Sequence, residues 1–171
     1  FLGSVDAALK ADSIYAGGHY DVPPTAGLKA FGRVYCGWAY SPVFFRDELW
    51  RAQGFQTVDD LLSFWEIDQL GWDANNLIAK LRTWQSADVG KWRLVDGGYE
   101  QALSSIKARA IIMPSRTDLY FTPEDSAIEV QHMRHAELRV IESDWGHCAG
   151  GPGREEAAMR PIASAVSDLL S

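Results

Sequence analysis

An acid and a histidine follow two short apolar runs in the last third of the chain, and together they could serve acyl transfer. Asp118 comes a few residues after the apolar run 110–113, and His147 comes a few residues after the run 138–141. Apolar residues 119–121 follow the acid and would shield it from water. A partly buried acid that orients a histidine forms two thirds of a Ser-His-acid triad, in which the histidine activates a serine.

The elements around these residues predict where the two side chains lie. Residues 109–114 and 137–141 are short and aliphatic, which is typical of buried strands. Residues 123–133 begin with Pro and two acids and end at His132-Met133, with Arg134 directly after them, which favours a helix. A strand-helix-strand unit is a right-handed crossover between parallel strands, whose carboxyl ends are adjacent. We therefore expect a carboxylate oxygen of Asp118 within hydrogen-bond distance of a ring nitrogen of His147.

Three interpretations compete for the acid. Asp118 is the best candidate for a triad acid, although an aspartate here could instead cap the turn before Pro123. Asp125 is expected in the first turn of the helix, where an acid favours the helix dipole. Asp144 is so close to His147 in sequence that the geometry for a triad is poor.

The histidine also has alternatives. His147 lies between Gly146 and the small residues 148–151, which would let a ring project from a tight loop, but a structural loop histidine would have the same neighbours. His132 and His135 are expected at the end of the helix, where a cation is favoured, and they are interpreted as surface residues.

No nucleophile is evident. The chain has no G-x-S-x-G motif, and Ser41, Ser115 and Ser143 do not lie on a strand-to-helix turn. Cys148 is a weak candidate because adjacent side chains on one loop rarely align for proton transfer.

The remaining residues predict helices. Residues 1–11 and 155–170 each have an apolar helical face, and 25–92 contains four helices without strand-type alternation. We predict residues 1–20 as a core helix and loop, 21–98 as a helical lid over the strand ends, and 99–171 as the carboxyl-terminal part of an α/β core. The helix starts are expected at Thr25, Ser41, Thr57 and Asp73.

Charge and composition narrow the function classes. The formal charge of −7 disfavours nucleic acid, and no apolar run approaches the ~20 residues that span a bilayer. The two cysteines form no CxxC or metal spacing and are expected as thiols of a cytoplasmic protein that binds no metal, with a disulfide between them as the alternative. Because the chain does not begin with Met, we expect it to be a piece of a longer protein.

Three segments carry a family resemblance. DANNLIAKLRTWQSADV (73–89), RAIIMPSRTDLYFTPED (109–125) and AELRVIESDWGHCAGGPG (136–153) resemble the carboxyl-terminal half of the homoserine O-acetyltransferase family, of the α/β-hydrolase superfamily. The resemblance implies an acyl-enzyme mechanism with Asp118 as triad acid and His147 as triad base. It also implies acetyl-CoA as co-substrate, with no cofactor bound, and leaves a homodimer open.

The resemblance places the serine, its elbow and the oxyanion donors in a preceding half. That half is expected as an upstream segment or a companion chain, and this piece alone should be inactive. Two strands make a marginal sheet, so we also expect that residues 1–171 are not a stable monomer by themselves.

The sequence departs from the family after the histidine. Family members usually continue with an acid, as in GHDAFL, whereas Cys148 and small residues follow here. A hydroxyl other than homoserine is therefore a candidate acceptor, and so is water. The prediction is an acyltransferase acting on a small molecule, with an esterase of the same fold and a non-catalytic binding subunit as alternatives.

Overall fold

The computed structural model describes residues 1–91, 97–151 and 155–171. Contacts divide the chain into two compact units, residues 1–39 with 45–87 and residues 40–44 with 88–171. The helices are α1 Leu2–Lys10, α2 Thr25–Ala39, α3 Pro42–Arg46, α4 Val58–Gln69, α5 Ala74–Ser86, α6 Gly98–Ser104, α7 Pro123–His132 and α8 Glu156–Leu170, and the strands are β1 Ala110–Ile112 and β2 Ala136–Leu138. Short 3₁₀ helices lie at Ser13–Gly18, Leu49–Gln53, Val89–Lys91 and Gly146–Gly150. The domain boundaries at 20/21 and 98/99 stay predictions.

Side-chain caps start two helices of the first unit where the sequence predicts them. Thr57 and Asp60 form a capping box at α4, in which each side chain accepts from the backbone N–H of the other residue. Asp73 accepts from the backbone N–H of Asn76 at the start of α5. The expectation of helices without strands is confirmed for residues 25–91, the described part of that span.

Two details of the helical prediction are wrong. Thr25 is the first residue of α2 rather than its cap, because the N–H of Leu28 already bonds the carbonyl of Pro24. The helix expected to start at Ser41, which the sequence pattern continues to Gly54, ends at Arg46, because Glu48 takes a left-handed conformation with φ of 52°. The chain then continues as the 3₁₀ helix Leu49–Gln53.

The core of the first unit joins α1, α2 and α5. Aliphatic and aromatic side chains from these helices are buried together, among them Val5, Leu9, Leu28, Phe31, Leu77, Ile78 and Leu81. The helix predicted over 1–11 thus packs with α2 and α5, because its buried face meets those helices. Gly32 of α2 also lets α4 approach closely, since a Cβ there would lie 2.5 Å from the carbonyl oxygen of Trp65.

The second unit contains the predicted crossover. Strands β1 and β2 are parallel with α7 between them, and Ala110 and Ile112 pair with Ala136 and Leu138. Both strands are shorter than predicted because Pro114 has no N–H to donate and interrupts the ladder. An isolated bridge from Ser115 to Ile141 resumes the pairing.

The last helix, α8, lies where the sequence predicts an amphipathic helix, over 155–170, and it packs on β1. In the described part of the chain, no helix combines the length and the apolar character needed to cross a membrane. The placement of the predicted lid over the strand ends stays a prediction.

Candidate active site

A tight turn presents the candidate acid at the end of β1. The N–H of Asp118 donates to the carbonyl of Ser115 at 3.1 Å, which closes the turn 115–118. The turn is tied to the neighbouring strand by the N–H of Arg116, which donates to the carbonyl of Ile141 at 2.9 Å. Asp118 is only 7% exposed. A buried acid is therefore held beside the segment that leads to the histidine.

The two carboxylate oxygens of Asp118 have different hydrogen-bond partners. Oδ1 accepts from the backbone N–H groups of Tyr120 and Phe121 at 3.0 and 3.1 Å. Oδ2 lies 2.8 Å from Nδ1 of His147. Burial raises the pKa of this carboxyl group, but the bonds from His147 and from the two backbone N–H groups outweigh it and hold the pKa below 3.8. The predicted proximity of Asp118 and His147 is confirmed.

The side chain of His147 projects from a short 3₁₀ helix. His147 is the second residue of Gly146–Gly150, and Gly146 before it has a left-handed φ of 62°, which glycine adopts without strain. The rings of Tyr120 and Phe121 lie 4.4 and 5.4 Å from the imidazole, centre to centre. The side chain of His147 is 39% exposed. Because Nδ1 faces Asp118, Nε2 is the nitrogen that remains for proton exchange with a reactant.

A cavity adjoins the pair within the second unit. Its volume is about 390 Å³, and its lining includes Ser115, Asp118, Phe121, Glu129 and His147. In the described part of the chain, no three His, Cys, Asp or Glu side chains form a group that could hold a metal.

The rival acids have other partners. Asp125 lies in the first turn of α7, as predicted, where its N–H donates to the hydroxyl of Thr122. Asp144 pairs with the guanidinium of Arg116. The capping alternative for Asp118 is also partly right, because its Oδ1 accepts from two N–H groups of the following turn, while Thr122 rather than Asp118 caps α7.

Two of the serines considered from the sequence, Ser41 and Ser143, have hydrogen-bonded hydroxyls, whereas the buried hydroxyl of Ser115 has no partner among the described residues. Ser41 caps α3 by accepting from the N–H of Phe44, and its hydroxyl donates to the carbonyl of Asp144. Ser143 bonds the carboxylate of Glu155. Ser115 is buried, and Cys148 is buried and forms no disulfide within the described residues. Of the other histidines, His132 lies in the last turn of α7.

Thr117 has a place in the site that the sequence reasoning missed. Its hydroxyl donates to the carbonyl of Ser143 and accepts from the N–H of Gly146, both at 3.0 Å. The only signal in the sequence is that it precedes Asp118, because a threonine near a strand end has many other uses.

The known proteins that the chain matches by sequence are named as ester hydrolases. No protein-family model matches the chain. A probable esterase of Corynebacterium glutamicum is 29% identical over 150 residues, which is 86% of this chain and 42% of that protein. An ethyl acetate hydrolase of Pseudomonas veronii is 29% identical over 167 residues, 96% of this chain and 47% of that protein. The chain thus spans somewhat less than half the length of these relatives.

Solved structures give the fold. An acetylester hydrolase from Corynebacterium glutamicum superposes with a TM-score of 0.91 at 27% identity, over 98% of this chain and 48% of that chain. The acetyl esterase MekB gives 0.92 at 27% identity, over 99% and 49%. The chain has the α/β-hydrolase fold, as predicted.

The resemblance to homoserine O-acetyltransferases is supported only for the fold. The homoserine O-acetyltransferase from Bacillus anthracis has a TM-score of 0.73 at 21% identity, over 87% of this chain and 43% of that chain. The relatives with higher identity carry esterase names, so the comparisons favour the esterase alternative over the acyltransferase interpretation.

Proposed function

We propose that this chain, which has the α/β-hydrolase fold, is part of a carboxylic ester hydrolase in which His147 is the general base and Asp118 its orienting acid. The observation that carries the proposal is the 2.8 Å contact between Oδ2 of Asp118 and Nδ1 of His147 at the ends of paired parallel strands. A buried carboxylate in this position fixes the ring and the tautomer, and it stabilises the imidazolium that forms during the reaction.

The reaction requires a nucleophile from outside these residues. A serine of the preceding part of the protein, or of a companion chain, attacks the ester carbonyl while Nε2 of His147 takes the hydroxyl proton. His147 then gives that proton to the departing alcohol, which leaves an acyl-enzyme. In the second half, His147 removes a proton from water, the hydroxide attacks the acyl carbon, and the serine leaves with the proton held by His147.

The relatives and the site both support one class of substrate. The matched proteins are named as an ethyl acetate hydrolase, an acetylester hydrolase and an acetyl esterase, which supports a small acetyl ester. The aromatic ring of Phe121, which lines the cavity beside His147, provides an apolar wall that suits an uncharged alkyl ester. Transfer of an acetyl group from acetyl-CoA to a hydroxyl is the second candidate, supported by the resemblance of the three segments.

The test uses the complete polypeptide that contains this chain with its upstream part. We expect hydrolysis of ethyl acetate and p-nitrophenyl acetate, and no acetylated product from acetyl-CoA and homoserine. His147→Ala should lower kcat for the ester by several orders of magnitude with folding intact, because the base is removed.

The matched control is His135→Ala, which removes an exposed imidazole near the start of β2 and should leave turnover unchanged. Ester turnover that survives in His147→Ala would refute the assignment of the base. Product formation that requires acetyl-CoA, without ester hydrolysis, would instead support the transferase candidate.

A further inference from the structure

We propose that Thr117 is a positioning residue for the proposed reaction, because its single hydroxyl fixes the acid turn to the histidine loop. The inference rests on the proposed function and deepens it. The relevant contacts are the hydrogen bonds of the Thr117 hydroxyl to the carbonyl of Ser143 and from the N–H of Gly146, both 3.0 Å long.

The segments that follow β1 and β2 are held together first by backbone hydrogen bonds and then by side-chain hydrogen bonds. Backbone bonds hold the first part, where the N–H of Ile141 donates to Pro114 and the N–H of Arg116 donates to Ile141, each at 2.9 Å. Thr117 provides the next link, and the side-chain pair of Asp118 and His147 comes directly after it.

The position of Thr117 couples both members of the pair. Thr117 immediately precedes Asp118, and its N–H partner Gly146 immediately precedes His147. The Thr117 hydroxyl therefore connects the residue before Asp118 to the residue before His147. A small shift between these two loops would change the 2.8 Å separation of Oδ2 and Nδ1 directly.

Other side-chain contacts of these two loops include exposed ion pairs and a bond within a single loop. The side chain of Arg116 pairs with Glu142 and Asp144, but all three side chains are more than a third exposed, and exposed pairs contribute little. The hydroxyl of Ser143 accepts from the N–H of Trp145 and so shapes the loop from within. None of these bonds holds the N–H of Gly146.

Removal of the hydroxyl has two consequences. The part-buried N–H of Gly146 loses its acceptor, which is unfavourable for a group with little access to water. The loop then moves to satisfy that group, and His147 moves with it. A displacement of about 1 Å of a catalytic group can lower turnover by about 100-fold.

The experiment compares three variants of the complete polypeptide. Thr117→Val keeps the shape and removes the hydroxyl, and we expect kcat for p-nitrophenyl acetate to fall about 10- to 100-fold with KM changed less than about threefold. Thr117→Ser restores the hydroxyl and should recover kcat to within a few-fold. Thr122→Val removes a hydroxyl that caps α7 at 3.1 Å and should lower stability while kcat is retained.

A second readout monitors the geometry directly. The proton on Nδ1 of His147, bonded to Asp118, should give a downfield NMR resonance that is lost in His147→Ala. Thr117→Val should shift or broaden this resonance, while Thr117→Ser and Thr122→Val should retain it. Thr117→Ala, which adds no bulk, gives the same comparison if the valine variant does not fold.

The outcomes separate the two proposals. Equal loss of kcat in Thr117→Val and Thr117→Ser, or a kcat within twofold of the unchanged protein in Thr117→Val, would overturn the role of Thr117. Full ester turnover in His147→Ala would instead refute the proposed function. In that case the resonance still decides whether Thr117 holds the pair, since an unchanged signal in Thr117→Val would refute it.

Discussion

Replacement of Asp118 by asparagine should remove activity while leaving the fold nearly unchanged. The structure fixes the orientation of the new amide. Two backbone N–H groups, of Tyr120 and Phe121, point at Oδ1, so the amide oxygen must take that position to remain an acceptor. The NH₂ group then faces Nδ1 of His147, where Oδ2 was.

This orientation inverts the tautomer of the histidine. An NH₂ group can only donate, so Nδ1 becomes the acceptor and the ring proton moves to Nε2. A ring that carries its proton on Nε2 cannot take one from a nucleophile. The corresponding change in a Ser-His-Asp protease lowers kcat by about 10⁴, or about 5.4 kcal/mol at about 1.36 kcal/mol per tenfold. We expect a loss of this order.

Stability should respond differently from activity. Asp118→Asn keeps both bonds from the turn N–H groups and should lose only the stability that the ionised carboxylate contributes. Asp118→Ala is a less specific test, because it also leaves both N–H groups without their acceptor and should cost about 1–3 kcal/mol per unsatisfied group. The measurement is ester turnover of the complete polypeptide together with denaturant unfolding.

Asp125→Asn is the matched control, since Asp125 lies in the first turn of α7. Its kcat should be unchanged. An Asp118→Asn variant with kcat within tenfold of the unchanged protein would refute the reasoning, because the tautomer would then not matter.

Three further predictions concern stability and are measured by unfolding of the complete polypeptide. Gly32→Ala should lower the free energy of unfolding by about 1–3 kcal/mol, because its Cβ would meet the carbonyl of Trp65. The control Gly37→Ala, which has open space around it, should raise the free energy of unfolding by about 0.5–1 kcal/mol. Equal effects of the two substitutions would contradict the close approach of α2 and α4. Phe44→Ala should cost about 3–5 kcal/mol because the side chain is fully buried, and a change below about 1 kcal/mol would contradict its packing. The folded-state pKa of Asp118 lies below its ordinary 3.8, so its stabilisation is present above pH 4 and is lost as the pH falls through the folded value. Asp118→Asn should therefore show a weaker dependence of stability on pH below 4, and an unchanged dependence would contradict the lowered pKa.

The sequence predicted the parts of the fold that depend on local pattern. The caps at Thr57 and Asp73 and the strand-helix-strand unit follow from residue types within a few positions of each other. The proximity of Asp118 and His147 was also predictable, because the carboxyl ends of neighbouring parallel strands are adjacent.

What the sequence did not predict depends on contacts between distant residues. The assignment of α1 to the helical unit depends on which helices meet its buried face, and an amphipathic pattern does not name its partner. The break at Glu48 is a left-handed residue that is not a glycine, so no residue type signals it. The bonds of Thr117 join positions 26 and 29 residues away.

The five residues 40–44 have a consequence for recombination between related enzymes. They fall inside the predicted lid, 21–98, yet they belong to the second unit. Tyr40 and Phe44 are fully buried, their rings stack at 3.9 Å, and Phe44 meets the ring of Trp145 at 5.3 Å. A chimera that exchanged the lid as one block would replace these residues together with it and would lose contacts beside the histidine loop. A functional exchange must therefore be made in two pieces, 21–39 and 45–87, with 40–44 inherited from the parent that supplies His147.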